Sequence, residues 1–435
     1  QVFILTTAFG WVDADGNRRF RRVYVEVPRG NGKALDIRTE IPTPRGMVLM
    51  RDIQVGDEVY ATDGTVARVS AVTGWLIGRP CYEIEFSTGE VIVADADHQW
   101  VTDARRDRDR LKGRGGKHAG PKPSVKTTRE IADTLFCRKE RNHRVSVAEP
   151  ISGPERKFTV SPYILGAWLG DGSSANGEFT TADTEMLDVI RAEGETITKT
   201  RTGEYSYRFS DGDRTFASRS RSLAARLRSL GILGNKHIPE EYLTASKAQR
   251  LALLQGLMDT DGFISAGQGQ CEFTQKSERI ARQVYRLIAS LGMRPRLMER
   301  DVTCNGAPAG KAWRVLFHAY KDTPVFRLSR KAERLRDRPD ARGLQDYRTI
   351  VRCDPVESRP VKCIEVDAAD HCYLASAGHI ATHNSSLSSP VGLYMTVLDG
   401  EAGAEVYSAA TTRDQARIVF RDAQAMARKM EPFRK

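Results

Sequence analysis

Three sets of residues in this 435-residue chain have types and spacings that could do chemistry. The first is Arg29-Gly30-Asn31-Gly32-Lys33, a Gly-rich turn ending in lysine, in the manner of a loop that cradles phosphates. Such a loop needs a hydroxyl directly after Gly-Lys to join the shell of the accompanying Mg²⁺, and Ala34 stands there instead. The second is His383-Asn384-Ser385, followed by "SLSSPVGLYMTVL", a small-then-apolar run with the pattern of a helix. Joining Lys33 to Ser385 gives "VEVPRGNGKSSLSSPVGLYM": a strand, a Gly-rich turn, Lys, Ser and a helix, in the order a phosphate site requires. Lys33 would then reach the phosphates and Ser385 the metal, and residues 34–384 become an insertion that has to leave. The third is an internal repeat, "ILGAWLGDGSS" (164–174) and "LLQGLMDTDGFIS" (253–265), which sets Asp171 and Asp261 in equivalent places.

The elements that must position these groups are legible in outline. Gly166 and Gly170 are four residues apart, as are Gly256 and Thr260, so each helix of the repeat offers a small-residue face. Two such faces pack backbone to backbone and bring Asp171 and Asp261 together at the helix C-termini, where dipole and mutual repulsion both disfavour them. Divalent cations relieve that strain and suit phosphodiester hydrolysis. One Asp-Gly pair is commonly just a turn after a helix; two matching copies argue for more. Segments such as "GEYSYRFSDGDRTFASRSR" and "WRVLFHAYKD" alternate as strands and carry Arg, Ser and Tyr, as sheets that lie in a DNA groove do.

Composition agrees with a polyanion partner: 67 basic against 56 acidic residues give a net charge of +11. Ala104 to Arg129 carries ten Lys/Arg and two Asp among glycines and prolines, which reads either as a solvated linker or as an arm on nucleic-acid phosphates. Seven cysteines without a Cys-x-x-Cys pair argue against a disulfide scaffold or a zinc site, and favour a reducing cytoplasm. No apolar run is long enough to span a bilayer and no secretory pattern is present. A start at Gln1 and an end inside a helical pattern lead us to expect a fragment of a longer chain.

With the junction and the blocks around it in view, the chain resembles an intein, a self-excising protein insert. "ALDIRTEIPTPRGMVLMRDIQVGDEVYATDG" is similar to the family's opening block, "VIVADADHQWV" to the block that holds its activating histidine, here His98, and "VKCIEVDAADHCYLASAGHIATHNS" to its closing blocks. Most inteins begin with Cys or Ser. Ala34 is therefore either an engineered trap or the mark of a natural variant, and a Trp–Cys–Thr trio at Trp100, Cys363 and Thr382 resembles the minority class 3, which favours the natural variant. The resemblance implies that Cys363 attacks the Lys33 carbonyl at the Lys33–Ala34 bond, that His98 gives a proton to the Ala34 nitrogen, and that Trp100 and Thr382 orient the centre. Ser385 then takes the acyl group, Asn384 cyclises with help from His383, and His371 is a further candidate to polarise the Asn384 carbonyl. No cofactor is expected for splicing. Taken alone, each residue has a plainer reading: a strand cysteine is usually buried core, and a single histidine or tryptophan is usually packing.

Leu254 to Gly262, "LQGLMDTDG", resembles the LAGLIDADG motif of homing endonucleases. That resemblance implies Mg²⁺ at Asp171 and Asp261, double-stranded DNA as partner, and Lys236 as the basic residue that steadies the attacking water. The joined flanks, with Val27 where the loop's first Gly is expected and Arg29 within it, resemble bacteriophage terminase large subunits. This implies an ATP and Mg²⁺ site at Arg29, Gly30, Gly32, Lys33, Ser385 and Gln415, and a capsid-portal packaging motor as partner of the spliced host.

The expected architecture is multidomain. A mostly-β Hint horseshoe (34–150, with the basic arm 104–129, and 343–384) carries an inserted α+β LAGLIDADG endonuclease of two pseudo-symmetric repeats (151–342). Fragments of a P-loop α/β ATPase (1–33 and 385–435) flank it. The insert is expected to be monomeric, in the cytoplasm of a bacterial host cell. Rival readings are an endonuclease that only binds DNA, a stand-alone DNA endonuclease with decayed splicing blocks, and a maturase-like DNA-binding module.

Overall fold

The computed structural model describes residues 33–105, 123–201, 203–209, 222–267, 269–304, 307–340 and 343–383. Asn384, Ser385, Arg29, Gly30, Gly32, Gln415, both flanks and most of the basic arm lie outside the described residues.

The first and last described segments meet in one ten-stranded sheet. Its site-bearing strands are β1 (Leu35–Asp36), β2 (Cys81–Phe86), β3 (Val91–Asp95), β4 (Gln99–Ala104), β5 (Val361–Lys362), β6 (Cys372–Ala375) and β7 (Ile380–His383). At one edge the order is β5-β1-β3-β2; Tyr347–Val356 and His143–Ser146 follow, then β4-β7-β6. Strands drawn from residues 35–146 thus alternate with strands drawn from 347–383, and neither half forms the sheet alone. Period-2 alternation of β-branched and aromatic residues drives this: Ile84, Phe86, Ile92, Trp100, Ile350 and Ile380 face a common core and are nearly inaccessible to solvent. The Val361–Val366 run does not continue as one strand. Val361–Lys362 pairs with β1, Ile364–Val366 pairs with Val66–Val72 in a separate sheet, and Cys363 sits at the changeover.

Between these halves lies an α+β unit with its own core. Its axis is the pair α1 (Pro162–Asp171) and α2 (Lys247–Thr260). Ser161 and Ser246 cap their N-termini through Ile164 N–H and Gln249 N–H. The two helices touch backbone to backbone: a Cβ on Gly166 would overlap the Leu253 carbonyl, and one on Gly256 that of Tyr163. Gly170 meets the Thr260 side chain in the same way. Only glycine fits there, which is the physical content of the repeated small-residue face. Each helix leads into strands. Phe179–Thr180, Ile197–Lys199 and Ser206–Phe209 follow α1; Gly262–Ile264, Gln270–Gln275, Arg296–Cys304 and Ala307–His318 follow α2. "WRVLFHAYKD" contributes to the last of these, as its alternation predicts, and "GEYSYRF" to Ser206–Phe209; residues 210–221 lie outside the described set.

A buried arginine ties the two parts. Arg250 of α2 donates to Ala245 O at 2.9 Å, to Ser290 O at 2.6 Å and to Ile151 O in the connecting segment. A fully buried guanidinium is tolerated because these oxygens satisfy its donors.

Candidate functional site

The sheet register brings the expected nucleophile to its expected target. Leu35 pairs with Lys362 and Asp36 with Val361, so the next step of the antiparallel ladder sets Ala34 opposite Cys363. Residues so opposed have Cα atoms about 5 Å apart and share a face. Ala34 and Cys363 accordingly fall in one small buried cluster with Cys81, Val93 and Val361. Cys363 is held by its own backbone: its N–H donates to Thr73 Oγ1 at 3.0 Å, and its carbonyl accepts from Thr73 N–H at 3.0 Å. The plainer reading of a strand cysteine as buried holds for Cys363, which is only 1% accessible where the strand changes sheets and packs beside Ala34. That burial pushes the thiol up to about 12, against the opposing influence of the Lys33 ammonium.

His98 lies in the turn between β3 and β4, where its N–H bonds Asp95 O at 3.1 Å. The ring is fully buried, hydrogen-bonds Thr382 Oγ1 through Nε2, and packs edge-on against Trp100 with centroids 4.9 Å apart. Burial drives it down to about 3; the chief opposing influence is a hydrogen bond to the Lys33 backbone. The Lys33 backbone therefore lies near the ring, although Nδ1 makes no hydrogen bond of regular geometry. The expected role of His98 as proton donor to the Ala34 nitrogen calls for a charged ring, which burial disfavours here. A neutral ring bound to Thr382 and lying near the Lys33 backbone is suited to polarising the Lys33 carbonyl.

Trp100 is anchored by Nε1 to Thr128 Oγ1 at 3.0 Å, and Thr128 N–H returns to His98 O at 2.8 Å, so the tryptophan fixes the turn that carries the histidine. Thr382 and His383 occupy β7, opposite Tyr373 and Cys372. His383 is buried, and its imidazole is driven down to about 4, first by burial and then by the Lys33 charge. His371 stands close enough for its charge to act on His383, at a backbone φ of +54°.

Two further groups at this centre carry no signal that marks them in the sequence by themselves. Asp95 is opposite Ala34 on the other side, since Leu35 pairs with Ala94, and its N–H donates to Ala34 O at 2.9 Å. Arg79 Nε donates to Asp95 Oδ2 at 2.7 Å. Asp95 stands three residues before His98, and that fixed offset from the recognised histidine was the available clue.

The second centre is at the C-termini of α1 and α2. Asp171 ends α1 and Asp261 caps α2. Burial and then the Asp171 charge raise Asp261 to about 6, and burial likewise raises Asp171. Asp261 Oδ2 also accepts from Gln275 Nε2 at 3.3 Å. Lys236 departs from expectation: its ammonium donates to Leu169 O at 3.0 Å and Gly172 O at 2.6 Å, which caps the end of α1 instead of presenting a free donor for water. Lys331, missed in the sequence, does the same for α2, donating to Met258 O at 2.8 Å, Asp259 O at 2.8 Å and Gly262 O at 2.7 Å. Counting on from Asp261 about as far as Lys236 lies from Asp171 would have found it. No group of three or more His, Cys, Asp or Glu among the described residues is arranged to hold a metal ion. The two carboxylates still suit a hard divalent ion: they are oxygen donors whose mutual repulsion a cation would relieve, and Mg²⁺ takes few protein ligands beside phosphate and water.

Comparison with known proteins bears on the second centre through one family model. Residues 248–317 match the family model described as a LAGLIDADG-like domain. A replicative DNA helicase DnaB of Mycobacterium intracellulare is 41% identical over 378 residues, covering 85% of this chain and 61% of the relative. A second DnaB, of Mycobacterium leprae (strain TN), is 55% identical over 80 residues, 18% of this chain and 13% of the relative. The chain therefore spans less than two thirds of the length of either. Among solved structures, the MchDnaB-1 intein is 18% identical with a TM-score of 0.26, and the Msm DnaB1 intein splicing domain bound with zinc is 17% identical with a TM-score of 0.25. Each covers 81% of this chain and 100% of its own.

These relatives are helicases, so the terminase reading of the flanks is corrected, and with it the bacteriophage host and the packaging motor. The physical reason is that a Gly-rich turn followed by Lys and Ser serves phosphate binding in many ATPases, and Val27 and Arg29 were too little to tell them apart.

Proposed function

We propose that residues 34–384 form an intein that excises itself and joins Lys33 to Ser385, and that its inserted unit is a Mg²⁺-dependent homing endonuclease acting on double-stranded DNA. The observation that carries the first part is the register that sets Cys363 opposite Ala34, with His98 bound to Thr382 near the Lys33 backbone. Cleaving an amide needs a nucleophile, a stabilised oxyanion and a proton for the departing nitrogen. Cys363 supplies the sulfur. His98, held by Thr382 and braced by Trp100, polarises the Lys33 carbonyl, and the acyl group moves onto sulfur as a branched thioester. Ser385 takes it over, Asn384 cyclises with His383 assisting, and an acyl shift restores a peptide bond. The outlying roles of Asn384, Ser385 and His371 rest on the resemblance of the closing blocks.

The second part is supported by the LAGLIDADG-like match and by the glycine-tight helix pair that ends in Asp171 and Asp261. When bound there, Mg²⁺ supplies charge neutralisation for phosphodiester hydrolysis. Asp171 and Asp261 would hold it, and Lys236 and Lys331 neutralise the helix ends on which the two acids stand. The flanks belong, on this reading, to a P-loop ATPase of replicative-helicase type. That host assignment rests on the relatives' name. Lys33 and Ser385 sit at opposite ends of the insert, so ATP is bound only after splicing. No helix among the described residues is long and apolar enough to cross a membrane.

Mass spectrometry of the expressed chain tests the reading. An excised 34–384 piece and a ligated flank are expected, and Asn384→Ala should hold the reaction at branched species. A chain that stays intact over days, with Asn384→Ala indistinguishable from it, would remove the splicing assignment.

A further inference from the structure

Four side chains stand in a row across adjacent strands at the splice centre. Cys81 pairs with Asp95, and the ladder steps beside Leu35–Ala94 and Leu35–Lys362 set Asp95 opposite Ala34 and Ala34 opposite Cys363. Opposed residues share a face, so a carboxylate and a thiol flank the residue whose nitrogen is the leaving group. Asp95 has no accessible surface. Its Oδ2 accepts from Arg79 Nε at 2.7 Å, while Oδ1 makes no hydrogen bond of regular geometry. A buried carboxylate oxygen left without a full partner costs folding stability, and such costs concentrate where chemistry requires them.

We propose that Asp95 is the proton shuttle of the first splicing step, taking the proton of Cys363 as sulfur attacks the Lys33 carbonyl carbon and delivering it to the Ala34 nitrogen as the Lys33–Ala34 bond breaks. The inference rests on the assignment of Cys363 as nucleophile. One S–H and one C–N bond are lost and one C–S and one N–H bond are made; Asp95 and Arg79 end unchanged, and nothing is oxidised or reduced. The step needs such a group. A thiol pushed up to about 12 holds almost no thiolate at neutral pH, and an imidazole driven down to about 3 and tied to Thr382 carries no spare proton. Asp95 suits both halves of the transfer: burial raises it, Arg79 limits the rise, and the Ala34 N–H lies against its carboxylate. The other charged or titratable groups facing it are Asp97, Cys363 and Tyr373.

The test measures N-terminal cleavage of the full chain as hydroxylamine-released fragment across neutral pH. Asp95→Asn keeps size and the Arg79 contact, and is expected to slow cleavage by about 10²- to 10⁴-fold at pH 7. The residual rate should rise about tenfold per pH unit as hydroxide replaces the carboxylate. A rate within about threefold of the parent, with the parent's pH profile, would overturn the proposal, because a positioning role alone survives this change. Should Asp95→Asn fail to fold by near-UV circular dichroism, Arg79→Gln gives a second readout. Losing the guanidinium raises Asp95 further, so the acid limb of the profile must move to higher pH; an unmoved limb overturns the shuttle. Cys363→Ala run in parallel separates the two ideas. Cleavage that persists there removes the nucleophile assignment, whereas its loss there with a parental Asp95→Asn profile removes the shuttle alone.

Discussion

The splice centre and the helix-end centre use ionisable groups in opposite ways. At the first, Cys363, His98, Asp95 and Thr382 are all shut away from water. At the second, both acids keep access to solvent, Asp171 more than Asp261, although surrounding atoms desolvate each carboxyl. On the proposed function the substrate of the first is the chain itself, at a bond one ladder step from Cys363, so nothing has to enter. Burial then costs no access, excludes hydrolysis of a thioester, and strengthens each local field. On the same proposal the substrate of the second is a long polyanion that has to dock from solution. Its acids stay open, stand at helix ends that disfavour negative charge, and are suited to a cation that solvent delivers. Burial shifts groups at both centres, but at the first it keeps a histidine neutral and at the second it leaves a carboxylate titrating near neutrality.

The sharpest way to break this contrast is a double dissociation. Cys363→Ala should abolish N-terminal cleavage while leaving Mg²⁺-dependent cutting of a joined-gene DNA intact. Asp261→Asn should lower that cutting by about three orders of magnitude, the several kcal/mol a positioned cation supplies, and leave splicing unchanged. Cross-effects in both directions, read by gel for DNA and by mass for protein, would mean the centres are not separate.

A smaller effect is expected from Gly256→Val. The added side chain meets the Tyr163 carbonyl, so the α1–α2 contact opens and the unit loses about 3 kcal/mol in urea denaturation. Lys331→Met should cost about 1–3 kcal/mol, because the α2 carbonyls lose their donor, and Lys236→Met should match it at α1. Unequal losses would argue against treating the two halves as equivalent.

The smallest effect is one of pH. Asp261 is raised to about 6, so the folded state holds a proton that the unfolded state gives up, and stability falls as pH rises from the ordinary carboxylate range through 6. Mg²⁺ binds the ionised form. Its stabilising effect on thermal unfolding should therefore be clear at pH 7.5 and vanish near pH 5; equal effects at both would contradict the assignment.

What the sequence disclosed follows the range of the interactions. The glycine faces of α1 and α2 were legible because four-residue spacing is local, and the two aspartates followed from them. The pairing of His98 with Thr382 spans most of the insert and was reachable only through the resemblance of the blocks that hold them. Cys363 was assigned from that resemblance too, and its burial is what a strand cysteine usually shows, but alternation along "VKCIEV" conceals a strand that changes partners midway. Asp95 and Lys331 were missed for a related reason: each acts through backbone groups brought to it by register or helix packing, and a lone Asp or Lys in a polar stretch has no pattern of its own. The flanks misled because a phosphate loop is a shared device.

The most direct test of the account is to look for the acyl group on sulfur. Ser385→Ala removes the group that takes over the acyl chain, so peptide mapping of that variant should find Lys33 joined to Cys363 through a thioester that hydroxylamine releases. Lys33 joined to a different side chain, or normal ligated product from Cys363→Ala, would contradict it.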